Sequence, residues 1–233
     1  MPPTQEAKAA NLLGFVMADG TSDPVLLMLR ALTRPRKRPG SAEDGQALAS
    51  AVRHTVNYRD LSLAAWSWGT GTPVLLLHGW ESRASHMASF VSELLRSGLC
   101  PIALDAPAHG ESDGDTTNVV DYGRAVVAAA NHFGPIGGVI AHSVGSAAAL
   151  YAFAHGLRVY ASVQICGPAS LGRVLRRGGK AAGLNAIEVA RLEFLMAEHI
   201  GLPLEAMDLM VDPLNQRLVV NPAHPNFPVA LAK

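Results

Sequence analysis

Short apolar runs alternate with longer amphipathic segments through the middle of the chain. Four runs predict strands, at residues 74–77, 101–104, 136–141 and 159–165. Residues 74–77 form a continuous apolar run, which is typical of a strand buried on both faces. Between the runs, apolar residues recur at helical spacing, at residues 85–96, 121–133 and 145–155. This alternation predicts a parallel sheet with helices on both faces, in which ligands bind at the carboxyl ends of the strands.

Two further strand patterns lie outside this alternation. Residues 54–58 and 61–68 alternate in polarity, and they predict a β-hairpin that turns at Arg59 and Asp60. Residues 217–220 (RLVV) predict a last short strand. The prolines that follow it exclude a long helix or a central strand after it.

The sequence divides into an N-terminal segment and a main domain. Residues 1–45 are predicted to form an N-terminal helical arm that ends in a charged connector with proline and glycine. The main domain is predicted to span residues 46–233. Within it, residues 168–210 have a helical pattern after a strand, and we expect them to form a lid over the site.

Composition bounds the function classes. The chain has 233 residues, of which 49% are hydrophobic and 16% charged, so we expect one globular core. The formal net charge of zero gives no support for nucleic acid or an anionic membrane as a partner. The N-terminus lacks a secretory signal pattern and an apolar stretch long enough to cross a membrane, so we expect a cytoplasmic protein. Cys100 and Cys166 stand in or beside apolar runs and are predicted to be buried free thiols.

Three polar motifs follow three of the predicted buried strands. His78-Gly79-Trp80 follows the first, residues 105–112 (DAPAHGES) follow the second, and residues 141–145 (AHSVG) follow the third. The carboxyl ends of parallel strands meet at one edge of the sheet, so these motifs are expected to lie together.

Ser143 stands where a strand turns sharply into a helix. Such a turn exposes a hydroxyl beside the amides of a helix N-terminus. Serine is also a favoured helix N-cap, so the turn by itself leaves a purely structural role open. A nucleophilic serine needs a histidine base and an acid to orient that histidine.

The three motifs together, in this order and spacing, resemble the α/β-hydrolase family. The resemblance covers about residues 50 to 221 and implies the α/β-hydrolase fold, with a mostly parallel twisted sheet. It implies that Ser143 is the nucleophile, and that the backbone amides of Trp80 and Val144 form the oxyanion hole. Trp80 is also bulky enough to form a wall of the pocket. Ala141 replaces the usual first glycine of the turn, which is a mild departure because alanine is small.

The same resemblance argues against three nearby histidines as the base. In the family, the positions of His78 and His109 brace loops, and His142 precedes the nucleophile and is expected to point away from it. Asp105 is expected to bind loop amides.

The base and the acid are not found at the family positions. The expected aspartate after the seventh strand is replaced by Asn221 or is lost through a small deletion. Only 12 residues follow Asn221, whereas a further helix, strand and loop need roughly 25 to 30 residues. We therefore expect the last strand to be missing. His224 and Asn221 remain as the candidates for base and orienting residue, and the exposed edge at residues 217–220 is expected to allow a homodimer.

These observations predict a serine hydrolase that acts on a small ester or related acyl substrate through an acyl-enzyme at Ser143. This mechanism needs no metal and no organic cofactor. The alternative is a catalytically impaired member of the fold that binds a ligand or a partner, because the base is not assigned.

Overall fold

A six-stranded sheet forms the centre of the molecule in the computed structural model, which describes residues 23–168 and 170–207. Its strand order is β1-β2-β4-β3-β5-β6. The strands are β1 (Val52–Tyr58), β2 (Leu61–Ser67), β3 (Thr72–Leu77), β4 (Leu99–Leu104), β5 (Gly138–His142) and β6 (Ala161–Ile165). β1 and β2 form an antiparallel hairpin and β2 pairs antiparallel with β4. The other three pairings are parallel, so the predicted mostly parallel sheet and the hairpin at Arg59 and Asp60 are confirmed.

Helices cover both faces of this sheet. They are α1 (Pro24–Thr33), α2 (Ala42–Leu48), α3 (Val91–Arg96), α4 (Val119–Phe133), α5 (Val144–Ala154), α6 (Leu171–Ala181) and α7 (Ala186–Ile200). Two 3₁₀ helices span Ala84–Phe90 and Leu204–Met207. The single helix predicted for residues 85–96 is therefore wrong in its first half. A 3₁₀ helix stacks residues three apart, and it buries both Ala84 and Met87 against the sheet.

Strand β3 packs side chains against the helical layers on both faces of the sheet. Leu75 and Leu77 pack in the cluster that contains α4 and α5. Val74 and Leu76 pack on the other face, in the cluster that contains the first 3₁₀ helix. All four side chains are 3% exposed or less, and full burial of such a side chain stabilises the fold by about 1.5–3 kcal/mol. The predicted strand with two buried faces is confirmed.

The side chain of Asn118 caps the start of helix α4. The Asp121 N–H donates to Asn118 Oδ1 over 2.9 Å, so Asn118 satisfies one of the first-turn amides that lack an intrahelical acceptor. Asparagine is among the favoured N-cap residues, and Asn118 is the N-cap of α4.

Helix α1 packs against the helices that follow β6. Val25 and Met28 form a buried cluster with Leu184 and Leu192, and Arg191 Nη1 lies 2.6 Å from Asp23 Oδ2. Leu29 and Leu32 of the same helix reach the neighbouring cluster around α4 and α5. The arm thus adds side chains to the region between the sheet domain and helices α6 and α7.

Several sequence-based expectations lie outside the described residues. These are the strand at residues 217–220, the absence of a strand after it, the dimer edge, and the roles of Asn221 and His224. Within the described sheet, β6 is an edge strand. No helix in the described ranges is both long enough and apolar enough to cross a bilayer.

Gly123 is predicted to be required where α4 crosses α5. A Cβ at this position would lie 2.5–2.9 Å from three atoms of the Tyr151 side chain, so Gly123→Ala should lower the free energy of unfolding by about 1–3 kcal/mol. The matched control is Gly45→Ala in exposed helix α2, where a Cβ meets no atom within 4 Å. This control should be neutral or stabilise by up to about 1 kcal/mol. Urea unfolding measures both, and equal midpoints would contradict the assigned packing.

Candidate active site

Ser143 occupies a strained turn between β5 and α5. Its φ of 53° and ψ of −120° lie where residues other than glycine are rare. Its N–H donates to the Ile165 carbonyl over 2.8 Å. A Cβ on Gly145 would lie 2.6 Å from the carbonyl oxygen of His78 and 2.8 Å from that of Leu77. Helix α5 therefore begins pressed against the end of β3, and this close approach requires glycine.

The loop after β3 lies directly beside Ser143. Leu77 and Ala141 are register partners in neighbouring parallel strands, so the two chains leave the sheet side by side. A Cβ on Gly79 would lie 3.3 Å from Ser143 Cβ and 3.0 Å from His142 Nδ1. This packing brings Trp80 and Ser143 to the same cavity, as their positions after adjacent strands predicted.

Two backbone N–H groups near Ser143 have no acceptor among the described residues. The Val144 N–H belongs to the first turn of α5, where helical amides have no intrahelical acceptor. Neither it nor the Trp80 N–H donates to any atom of residues 23–168 and 170–207. These are the amides that the sequence assigned to an oxyanion hole.

His78 fixes the direction of the Trp80 amide. The His78 ring is fully buried, its Nδ1 donates to the Gly79 carbonyl over 2.7 Å, and its Nε2 accepts from the Ala106 N–H over 3.0 Å. In a trans peptide the carbonyl and the following N–H point in opposite directions. Because His78 holds the Gly79 carbonyl, the Trp80 N–H points away from His78.

His109 and Asp105 hold the neighbouring loops. His109 Nδ1 donates to the Pro107 carbonyl over 3.0 Å, and its Nε2 accepts from the Glu81 N–H over 3.1 Å. Burial lowers the pKa of His109. The Asp105 carboxyl accepts from the N–H groups of Ala84 (2.6 Å) and Glu111 (2.7 Å), and burial raises its pKa to about 6. Both ring nitrogens of His78 and of His109 are occupied, so neither ring is free to accept a proton from Ser143.

No base for Ser143 is found in the described part of the chain. Eight of the nine histidines are described, and within that part no histidine hydrogen-bonds to Ser143 Oγ. His142 is the last residue of β5. Its side chain is exposed and packs over Gly79. His224 and Asn221 lie outside the described residues. Groups of three or more His, Cys, Asp or Glu that could hold a metal ion are also not found in residues 23–168 and 170–207.

A largely apolar cavity of about 480 Å³ opens beside Ser143. Its size is within the usual range for small-molecule sites, about 300–1,000 Å³. Its walls come from five helices and from the loops after β3 and β6. The lining residues are Leu32, Trp80, Asn118, Val119, Ser143, Val144, Ala147, Cys166, Pro168, Leu171, Val174, Leu175, Met196 and Ile200.

Sequence reasoning missed two kinds of lining residue. Leu32 comes from the N-terminal arm, and no local pattern connects it with Ser143. Cys166 was predicted to be buried, but its side chain is exposed because β6 ends at Ile165 and the chain turns there with a positive φ of 53°. Cys100 is half-buried. Both thiols are free, as expected.

The model of a known protein family matches most of the chain. The match runs from residue 74 to residue 231 and the family is described as the alpha/beta hydrolase family. The chain belongs to this family. The expected α/β-hydrolase fold is thereby confirmed. No curated protein matches the chain significantly.

Solved structures of an esterase from Pyrococcus furiosus share the fold of this α/β-hydrolase. One is 23% identical with a TM-score of 0.56, and the match covers 68% of this chain and 66% of that chain. A second is 24% identical with a TM-score of 0.55 and 62% coverage of both chains. A third is 26% identical with a TM-score of 0.51, and covers 63% of this chain and 60% of that one. The α/β-hydrolase described here thus matches 60–66% of the length of these esterase chains.

The buried imidazole of His78 is predicted to stay neutral across the acidic range. Burial lowers the pKa of His78 to about 3, from an ordinary value of 6.5. Between about pH 6.5 and about pH 3, His78 therefore takes up a proton in the unfolded chain but stays neutral in the folded protein. The contribution of His78 to stability is complete above about pH 6.5 and is lost as the pH falls toward 3.

The NMR spectrum of the imidazole nitrogens measures this directly. We expect His78 to show the neutral form protonated at Nδ1 from about pH 8 to about pH 5. His109 should show the same tautomer and take up its proton at a lower pH than an ordinary histidine. The acid-unfolded chain serves as the reference for a free imidazole. A His78 signal that titrates near pH 6.5 would contradict the assigned hydrogen bonds.

Proposed function

We propose that this α/β-hydrolase is a serine hydrolase that cleaves a small ester or related acyl compound through an acyl-enzyme at Ser143. The observation that carries the proposal is the position of Ser143. It stands at a strained turn, faces an apolar cavity, and has beside it two backbone N–H groups that no acceptor in residues 23–168 and 170–207 binds. The fold that the chain shares with the Pyrococcus furiosus esterase is consistent with this chemistry.

In the proposed reaction, Ser143 Oγ forms a bond to the carbonyl carbon of the substrate and loses its proton to a base. The carbonyl oxygen becomes an oxyanion and accepts from the N–H groups of Trp80 and Val144. Each such donor is worth about 3 kcal/mol in the transition state. The base then gives the proton to the leaving alkoxide, and the carbon–oxygen bond to it breaks. Water attacks the acyl-enzyme by the same route, which releases the carboxylic acid and frees Ser143.

The cavity suits the acyl part of such a substrate. Its walls near Ser143 include Ala147 of α5, Leu175 of α6 and Met196 of α7, and these side chains carry no charge. Apolar walls favour a hydrocarbon chain or ring over a charged group. In this proposal, α6 and α7 act as a lid that shapes the acyl pocket.

We propose His224 as the base and Asn221 as the residue that orients it. Support for His224 comes from elimination: His78 and His109 use both ring nitrogens elsewhere, and no described histidine bonds to Ser143. An asparagine orients the catalytic histidine in some cysteine proteases. His142 is the second candidate, because its ring packs beside Gly79 near Ser143.

The alternative is a binding protein with little or no turnover. The specific observation in its favour is that no base contacts Ser143 within the described residues. Without a base, an oxyanion hole and a pocket still leave about 10³- to 10⁴-fold acceleration over water. Ligand binding in the cavity would then remain, and hydrolysis would be slow.

Ser143 is predicted to react with acyl-type probes. A fluorophosphonate should label the wild-type protein, and p-nitrophenyl acetate should be hydrolysed above background, since both reagents are attacked by an activated serine. Ser143→Ala should abolish both signals. Ser89→Ala, which changes an exposed serine of the first 3₁₀ helix, should leave both unchanged. Equal background signals in the wild type and in Ser143→Ala would contradict the enzyme and favour the binding protein.

His224 is predicted to be needed for turnover. His224→Gln should lower kcat by about a thousandfold or more, because removal of the base eliminates most of the rate. His142→Gln tests the second candidate in the same assay, and His199→Gln in helix α7 is the control. A wild-type rate in His224→Gln together with a large loss in His142→Gln would move the base to His142.

A further inference from the structure

The charged connector between α1 and α2 contacts the loop that carries Trp80. Arg36 Nε lies 2.8 and 2.9 Å from the two carboxylate oxygens of Glu81, and Arg36 Nη2 lies 2.6 Å from Oε2. The Arg36 backbone N–H also donates to Glu81 Oε1 over 3.2 Å. A guanidinium that meets both oxygens of a carboxylate fixes orientation as well as distance.

Glu81 directly follows Trp80 and has an unusual backbone. Its φ is 52°, a region that costs free energy for any residue with a side chain and persists only where the surroundings hold it. Two groups hold it here: His109 Nε2 accepts from the Glu81 N–H, and Arg36 binds its carboxylate. Upstream of Trp80, His78 Nδ1 holds the Gly79 carbonyl. The Trp80 residue is thus restrained on both sides.

The connector is attached to the same region at further points. Asp44, in the first turn of α2 directly after the connector, pairs with Arg83 at 3.6 Å and accepts a hydrogen bond from Ser85 Oγ. Arg83 also donates to the Arg38 carbonyl. On the other side, Lys37 donates to the Ser112 carbonyl in the loop after β4. The connector therefore contacts both the loop after β3, whose Trp80 lines the cavity, and the loop after β4.

We propose that the Arg36–Glu81 ion pair is a clamp that positions the Trp80 N–H for the oxyanion, so that the N-terminal connector is part of the catalytic framework. Arg36 and Glu81 are positioning residues and touch no reacting atom. The inference rests on the proposed function, because the oxyanion is formed only if Ser143 attacks an acyl carbon.

The charge state of Glu81 suits the clamp. Burial raises the pKa of the Glu81 carboxyl, but the hydrogen bonds and charge of Arg36 outweigh this effect, and the pKa lies below its ordinary value. The carboxylate is therefore ionised at neutral pH. The Arg36 side chain is 42% exposed, and exposed ion pairs add little to global stability. Its loss is expected to change the position of the loop much more than the melting temperature.

Hydrogen exchange and steady-state kinetics of Arg36→Ala test the clamp in the full chain. We expect the amides of Glu81 and Ser82 to exchange about tenfold faster, as expected when a hydrogen-bonded charged partner is removed. We expect kcat for p-nitrophenyl acetate to fall about tenfold with little change in KM, because an oxyanion donor acts mainly in the transition state. Arg36→Lys keeps the charge but loses the planar fork, and should lie between the wild type and Arg36→Ala.

Two controls separate the clamp from a general effect on folding. Arg96→Ala removes an exposed ion pair with Glu93 on helix α3, next to the amino end of β4 and away from the cavity, and should leave kcat and exchange at residues 81–82 unchanged. Glu81→Gln weakens the same ion pair from the other side. The double variant Glu81→Gln/Arg36→Ala should lower kcat little more than either change alone.

The outcomes are distinguishable. Unchanged exchange at residues 81–82 in Arg36→Ala overturns the clamp whether or not the protein turns over substrate. Faster exchange with unchanged kcat in an active protein overturns the positioning role and leaves the proposed function intact. The inference is supported if exchange is faster and kcat falls in the Arg36 and Glu81 variants, while Arg96→Ala behaves like the wild type. If wild type and Ser143→Ala are equally inactive, the proposed function fails, and the catalytic purpose of the contact fails with it. Faster exchange in Arg36→Ala would then show only that Arg36 holds the loop.

Discussion

The close approach of helix α5 to the end of strand β3 is the constraint on which the site depends. Gly145 lets the backbone of α5 lie against the carbonyl groups of Leu77 and His78 with no room for a side chain. The chain must therefore turn sharply at Ser143, and it does so at a positive φ. The sheet supports this strain because β3 is buried on both faces. The hydroxyl and the first amides of α5 are consequently presented at one point.

A buried polar network holds the loops after β3 and β4 in place. His78, His109 and Asp105 each accept or donate hydrogen bonds to backbone groups of the loops after β3 and β4. Burial lowers the pKa of both histidines, so their rings serve as fixed dipoles in place of proton carriers. Three polar side chains near a serine thus stabilise the framework, and the proposed chemistry must obtain its base from another part of the chain.

The cavity joins segments that are far apart in sequence. Leu32 comes from the first described helix, whereas Met196 and Ile200 come from the last long one. α1 and α7 can meet because Val25, Met28 and Leu192 form a common apolar cluster. The N-terminal arm and the helices after β6 therefore enclose the space beside Ser143 together, and changes in either segment are expected to affect which ligand fits the cavity.

The sequence by itself determined the strands, most helices, the hairpin and the position of Ser143, because these depend on local patterns: apolar runs, helical spacing, and motifs at strand ends. It missed the 3₁₀ winding at Ala84–Phe90, which accompanies the packing of Ala84 and Met87 against the sheet. It also missed the exposure of Cys166, which depends on where β6 ends. Only the tertiary structure decided that Leu32 lines the cavity and that Arg36 binds Glu81, 45 residues away. A contact over such a distance leaves no periodic pattern in a chain, because it forms only when the whole core has packed.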